Sequence, residues 1–450
     1  MQRALDFDKT PALGVPLPFF LNIPIFLLLA GILTTLQPDA VWASRWSSAT
    51  LALTHLWTLG VLGSAMLGAL LQILAVACNV TTPGIQLLSR TVYVLLTVGT
   101  LLLVSGFLWW NPAYWIASSV LLGLALILYI TTVSYGLWKK RHEVYPGARE
   151  ILVPIRFALG SLLITMVLGV SLATALGTNS AVPDVIGSHL LWGLLGWGGL
   201  LLIGMSFQLI PIFQVTEIYP EKITKWLPLI IPILLAVWTA VDATDDLPVA
   251  FLELIELVIL GVFLLWAINT FYLLWTRKRP DADATTLFWY VSMICLALCA
   301  PVWLWATHTQ APQGTMVLGV LIIVGVLGTV VNGMLYLIFP FLLWKHAQNS
   351  AVVPEDDPRL ARLYQPALPK AAEYIKQSAA KAQWGVHTLM VICWLLASAG
   401  IQWAGLLAGP ILIISTLFLI WNMAQALSRY RKALKEVAQI AQQINQRQNN

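Results

Sequence analysis

Charge is what this sequence has least of. Only 10% of its 450 residues are Asp, Glu, Lys or Arg, where a soluble domain carries about 25%. That shortage excludes a water-soluble enzyme or a nucleic-acid-binding domain. Cysteine is also scarce: Cys78, Cys295, Cys299 and Cys393 are the four. They form no C-x-x-C pair and put no two thiols in predicted outer loops, so neither a disulfide framework nor a zinc-type thiolate cluster is expected. They are read as apolar core residues. No G-x-x-x-x-G-K-[ST] phosphate loop occurs anywhere, and the inner loop and tail carry no ATP-binding or protein-kinase motif. A cleavable signal peptide is not expected, because Asp6 and Asp8 precede a first apolar run that lacks a small-residue cleavage site.

What is present is apolar length. The chain is 59% hydrophobic with a mean hydropathy of +0.81. About twelve runs are long enough to cross a hydrocarbon core of about 30 Å as helix. They begin near Pro16, Leu51, Thr91, Ala113, Ile151, Val185, Trp226, Pro248, Thr285, Gly314, Gly385 and Ala404. The pairs around Trp110 and Ala404 are so tightly joined that only the combined run length argues for two spans in each. Lys and Arg are retained on the cytoplasmic side of short loops, and this tests the count. With the amino terminus inside, Arg45 alone of the 25 basic residues falls in an outer loop. The expected fold is therefore an all-α integral protein of the cytoplasmic (inner) membrane, one polytopic domain over residues 1–450, with both termini cytoplasmic and the bilayer as its partner. Its net charge of +5 reports that topology and not nucleic-acid binding.

One stretch recurs. In THLWTLGVLGSAMLGALLQ, Gly60, Gly63 and Gly68 follow G-x2-G-x4-G, with Gln72 four residues later. Gly196, Gly199 and Gly204 repeat the spacing, with Gln208 four and Pro211 seven residues beyond; Gly325, Gly328 and Gly333 repeat it again, with Pro340 seven beyond and Leu337 in the glutamine's place. The copies fall on spans two, six and ten. They divide the chain into three four-helix units of about 16–138, 151–276 and 284–426 in a pseudo-three-fold arrangement. At about 100° per residue the glycines of each copy occupy one arc of roughly 140°. That smooth face admits another helix or a flat ligand.

Twelve spans with both ends inside, three units, His55 near the outer end of span two, and glycines running into a proline on spans two, six and ten resemble the catalytic subunit of haem-copper oxidases and nitric oxide reductases. The resemblance covers nearly the whole chain in architecture. It implies three arcs of four helices enclosing three pores. In that family, histidines at the outer side of spans two and ten hold a low-spin haem, span ten also ligates the high-spin haem, and spans six and seven supply copper ligands. His55 matches the span-two ligand by location, and His189 approximately matches the region of the first copper ligand. Span seven has no histidine pair, span ten has none between Gly314 and Trp344, and His308 lies 25 residues before Gly333, too far outward to replace them. A complete oxygen-reducing centre is not expected. The chain more closely resembles the orphan, ligand-poor members of the superfamily, with NnrS-like haem-copper membrane proteins as functional relatives.

The resemblance implies haem, with copper as a further cofactor, at His55 and His189, and a role in respiratory metabolism, nitric oxide tolerance or haem and copper handling. An interfacial histidine with a water or carbonyl partner is the plainer reading of each. His55 stands 13 residues before its third glycine and His189 stands 15 before its own, which turns equivalent side chains about 160° apart; the two need not share a ligand. His142, His346 and His387 are placed at or near the cytoplasmic side. Glu253 and Glu256 form an i, i+3 pair near the outer end of span eight, a candidate proton or cation pathway, beside the acidic Asp242, Asp245 and Asp246. Trp109, Trp110, Trp138, Trp275, Trp344 and Trp384 read as interfacial anchors. Trp57, Trp192 and Trp197 lie on the repeated helices, where core packing competes with a macrocycle for them. A cytoplasmic loop over 345–384 and a basic amphipathic tail over 427–450 are available to anionic lipid or a partner. The alternatives to a haem-copper-oxidase-like protein are a proton- or cation-coupled transporter and a cofactor-free assembly partner of another respiratory-chain membrane protein. Related halves, often inverted, are the commoner transporter pattern.

Overall fold

The computed structural model describes residues 5–143, 148–244, 248–351 and 364–448. Arg3, Asp245, Asp246 and the middle of the loop after span ten, 352–363, lie outside the described residues. Every regular element among those described is helical. Eleven helices are long and apolar enough to cross a membrane: α1 Leu17–Leu36, α2 Ser48–Cys78, α3 Ile85–Trp109, α4 Pro112–Lys139, α5 Arg149–Thr178, α6 Ile186–Gln214, α7 Glu221–Asp242, α8 Val249–Trp275, α9 Ala284–Thr309, α10 Pro312–Asn349 and the last, α12, which begins at Gln402. The chain is an all-α integral membrane protein. The run expected near Gly385 is α11, Gln377–Ser398, 22 residues long. It is less apolar than the others because it places Gln383 and His387 in the interior.

Local chemistry divides the two closely joined pairs. Trp110 adopts a left-handed conformation after α3, the Asn111 side chain accepts from Ala113 N–H, and Pro112 opens α4; this combines a C-terminal stop with an N-terminal start. Between α11 and α12 the reversal falls on Gly400, whose φ of 93° a residue with a β-carbon rarely adopts. Helical turns extend into the loop expected over 345–384, since α10 runs to Asn349 and α11 starts at Gln377. The tail is continuous with the last span: α12 covers Gln402–Gln448, 47 residues or about 70 Å. Its stripe of Val437 and Ile444 is covered by Tyr364 and Ala367.

The three glycine helices lie deepest. Of their apolar stretches, 89% in α2, 72% in α6 and 67% in α10 is buried, against 22% in α8. Helix α10 touches both α2 and α6, while α1 packs on α12. Each glycine helix contains an eight-residue π-helical segment, Leu56–Gly63, Trp192–Gly199 and Leu321–Gly328, ending every time on the second glycine. A π register leaves carbonyls without their usual donors; in α10 the Thr329 hydroxyl supplies one, donating to the Val324 carbonyl at 3.0 Å.

The glycine faces are closed by protein. A β-carbon at Gly60, Gly196 or Gly325 would come within 3.0 Å of Phe26, Ser161 or Cys295, and one at Gly68, Gly204 or Gly333 would come within 3.0 Å of Phe19, Pro154 or Phe288. In all three copies the partners belong to the helix just before, α1, α5 or α9, two turns apart on it. The first and third glycines are therefore sites of close helix packing. All four cysteines are buried and free, and Cys295 is itself one of these packing partners.

Candidate functional site

His55 and His189 stand near the ends at which α2 and α6 begin, each just before its π segment. The His55 ring lies nearly parallel to Phe107 of α3, with centroids 5.2 Å apart. Its Nδ1 is 2.8 Å from the Leu51 carbonyl. A carbonyl only accepts, so Nδ1 carries the proton and Nε2 keeps its lone pair. His189 has the same arrangement with a different anchor: its Nδ1 is 3.1 Å from the Thr165 carbonyl of α5. Its Cε1 rests over Gly169 one turn on, where a β-carbon would come to 2.8 Å.

His55 packs forward onto Phe107 of α3, and His189 packs back onto Thr165 and Gly169 of α5. Neither histidine has a carboxylate partner among the described residues. Nor do those residues include a cluster of three or more His, Cys, Asp or Glu side chains able to hold a metal. At the same end, Arg45 stacks over Trp46 at 4.4 Å, and partial burial lowers its pKa.

The gap between α2 and α10 is occupied differently. Trp57 drives its indole against Gly328, 2.7 Å from where a β-carbon would stand, and meets Trp394 of α11 edge-on at 5.7 Å. His387, read as a solvated or boundary residue, is not solvated: it is 2% exposed and reaches α10 from α11. Asn332 Nδ2 donates to His387 Nδ1 at 2.9 Å. The other nitrogen, Nε2, is 3.0 Å from the Thr329 hydroxyl, whose own proton goes to Val324. Both imidazole nitrogens are thus occupied by protein. A cavity of about 10 Å³ bordered by Trp57, Asn332 and His387 is all that remains there, room for one water at most. The cue to this cluster was Thr329 and Asn332 interrupting the apolar run beside Gly333.

Glu256 is held as a structural acceptor: Trp238 Nε1 of α7 donates to Oε1 at 3.1 Å, and Trp303 Nε1 of α9 donates to Oε2 at 2.8 Å. One carboxylate therefore ties three helices together. Glu253, one turn earlier, is likewise half-buried. His308 is exposed and bonded within its own helix, and His346 meets the Tyr430 hydroxyl at 2.6 Å. Trp109, Trp110, Trp138 and Trp275 are each at least 60% exposed, as interfacial anchors require. Compared with protein-family models and with curated proteins, the chain matches none.

Proposed function

We propose that this chain is a haem-copper-oxidase-like protein of the cytoplasmic membrane, built of twelve spans in three four-helix units with both termini inside. On this reading His55 and His189 hold a metal-centred cofactor, haem iron or copper, at the outer ends of α2 and α6. The repeated glycine contacts with α1, α5 and α9, and the π segments in identical register, support the three units. The observation that carries the site is that two imidazoles, each near the start of a glycine helix, have Nδ1 tied to a backbone carbonyl and Nε2 without a protein partner.

The residues have distinct tasks. Leu51 and Thr165 carbonyls fix tautomer and ring direction, which is how outer partners prepare a histidine to ligate. Phe107 covers one face of His55 and limits water there. Bound iron or copper would supply an electron-transfer or diatomic-ligand site. A low-spin haem between α2 and α10, as the resemblance implies, does not fit: His55 faces α3, and Trp57 and His387 fill that gap.

The reading places the protein in respiratory metabolism, nitric oxide tolerance or haem and copper handling. A transporter reading draws less support, because both Glu256 oxygens already serve tryptophan donors. The deciding measurement is the reduced-minus-oxidised visible spectrum, with total haem and copper, for wild type, His55→Ala and His189→Ala. Cofactor lost in both variants supports the reading. Protein free of haem and copper after replete expression defeats it and moves an assembly role, beside another respiratory-chain membrane protein, to the front.

A further inference from the structure

We propose that a single buried water bridges Trp57 Nε1 of α2 and Asn332 Oδ1 of α10, in the small cavity where those two helices meet α1 and α12. The inference goes beyond the reading of His55 and His189 and does not depend on any cofactor there.

The cavity argues first. About 10 Å³ lies among Ile23 and Leu27 of α1, Trp57 of α2, Asn332 of α10, and Ser415 and Thr416 of α12. That is about the space one water needs, and too little for a second molecule. A wholly apolar cavity stays dry, whereas one that exposes unsatisfied polar groups holds water. Trp57 is 2% exposed and Asn332 4%, yet neither the indole N–H nor the amide oxygen has a hydrogen-bond partner in the protein. Leaving either bond unmade at this depth is costly.

The direction of the neighbouring hydrogen bonds selects the occupant. Thr329 gives its proton to the Val324 carbonyl, so His387 Nε2 must donate to Thr329 and His387 Nδ1 must accept. Asn332 meets that need with Nδ2, which fixes its amide and leaves Oδ1 as the open end of the chain. Oδ1 requires a donor and Trp57 Nε1 requires an acceptor, so the bridging molecule must be both. A sodium ion would oppose the indole N–H, and a chloride ion would oppose Oδ1. Water satisfies the two together. Two hydroxyls line the same cavity: Ser415 Oγ accepts from Gln383 Nε2 at 3.1 Å and is left with a proton to give, and Thr416 Oγ1 donates to Leu412 and keeps its lone pairs. The water therefore has two to four partners, as buried waters do. It ties the first glycine helix to the third by polar bonds, beside the contact of Trp57 with Gly328.

The test uses the full chain in lipid nanodiscs. A density map that resolves ordered waters should show one peak in the cavity at hydrogen-bond distance, about 2.7–3.2 Å, from both Trp57 Nε1 and Asn332 Oδ1, with the same strength in sodium and in potassium buffer. With the indole nitrogens isotope-labelled, the Trp57 N–H resonance, identified by its loss in Trp57→Phe, should give a nuclear magnetic resonance cross peak to water with the sign of a long-lived complex. That cross peak should be lost in Asn332→Leu and kept in the exposed control His308→Ala. Should Asn332→Leu fail to fold, the wild-type map decides alone. An empty cavity, an acyl chain or side chain filling it, a peak that needs sodium, or a cross peak unchanged in Asn332→Leu each overturns the proposal, and none of them touches the reading of His55 and His189.

Discussion

His387 and the His55–His189 pair are two answers to one problem, how to keep imidazole inside a membrane protein. At His387 every nitrogen is occupied by protein, Asn332 on one side and Thr329 on the other, and the ring stands edge-on to Phe288. At His55 and His189 one nitrogen of each ring is spent on a backbone carbonyl and the other is free. A polar group with all its partners stabilises a fold, whereas one with an open valence is available to a ligand. Buried histidine alone does not mark a site; the difference lies in the second nitrogen.

The sharpest way to break that comparison is to truncate each ring in turn. His387→Ala removes a buried ring and strands Asn332 and Thr329, so it should destabilise by about 3 kcal/mol or more. His55→Ala empties a half-buried position that bonds only to its own helix, and about 1 kcal/mol is expected. Thermal unfolding in detergent ranks them; metal content should rank them in reverse. Equal losses in both measurements would erase the distinction.

The glycines offer the next contrast. Gly333→Ala drives a β-carbon into Phe288, and overpacking of that kind costs about 1–3 kcal/mol. At Gly63 a β-carbon meets only the Thr58 carbonyl, at 3.4 Å, so Gly63→Ala should be neutral or slightly stabilising. Two alanines on equivalent helices, assayed by the same unfolding transition, therefore separate packing glycines from those that merely permit the π segment. If they behave alike, the recurrent contact with the preceding helix is not what the motif secures.

These contrasts also show how far the sequence could be read. Apolar run length sufficed for eleven helices long and apolar enough to span, because hydrocarbon imposes a length and burial a composition. The glycine arcs were legible for the same reason: a smooth face is a local property of one helix. The anchors of His55 and His189 were not legible, since Phe107 and Thr165 lie on neighbouring helices whose packing is not a local property of α2 or α6. His387 was misread as solvated because Gln383 and the nearby Lys381 make the start of its helix look polar. The π segments left no trace in a 3.6-residue pattern, and Trp57 seated on Gly328 depends on two helices that are remote in sequence.

Glu256 and Glu253 repeat the contrast between an occupied and an open polar group on one helix. Glu256→Gln presents an amide N–H₂ to one of two indole donors and leaves that donor unpaired, a loss of about 1–3 kcal/mol. Glu253→Gln should have little effect on unfolding. Unfolding curves for the two variants check this, and proton-coupled uptake lost in Glu253→Gln with stability intact would instead favour transport.

The smallest expected effect lies outside the membrane and sets a floor for the others. Lys140 hydrogen-bonds and pairs with Glu143. That bond first, then the charges of Lys140, Lys9 and Lys139, hold the Glu143 carboxyl below its ordinary value of 4.5. A carboxylate with a lowered folded pKa contributes stability that is complete above the unfolded value and is lost as pH falls through the folded one. Stability should therefore be flat with respect to this pair from pH 7 to about 5 and decline slightly below 4.5. The decline should vanish in Lys140→Met and shrink in high salt, because both partners face water. The His387 network, closed to solvent and built from neutral partners, should keep its contribution at any ionic strength. Salt thus separates the exposed pair from the buried cluster where a single unfolding temperature would merge them.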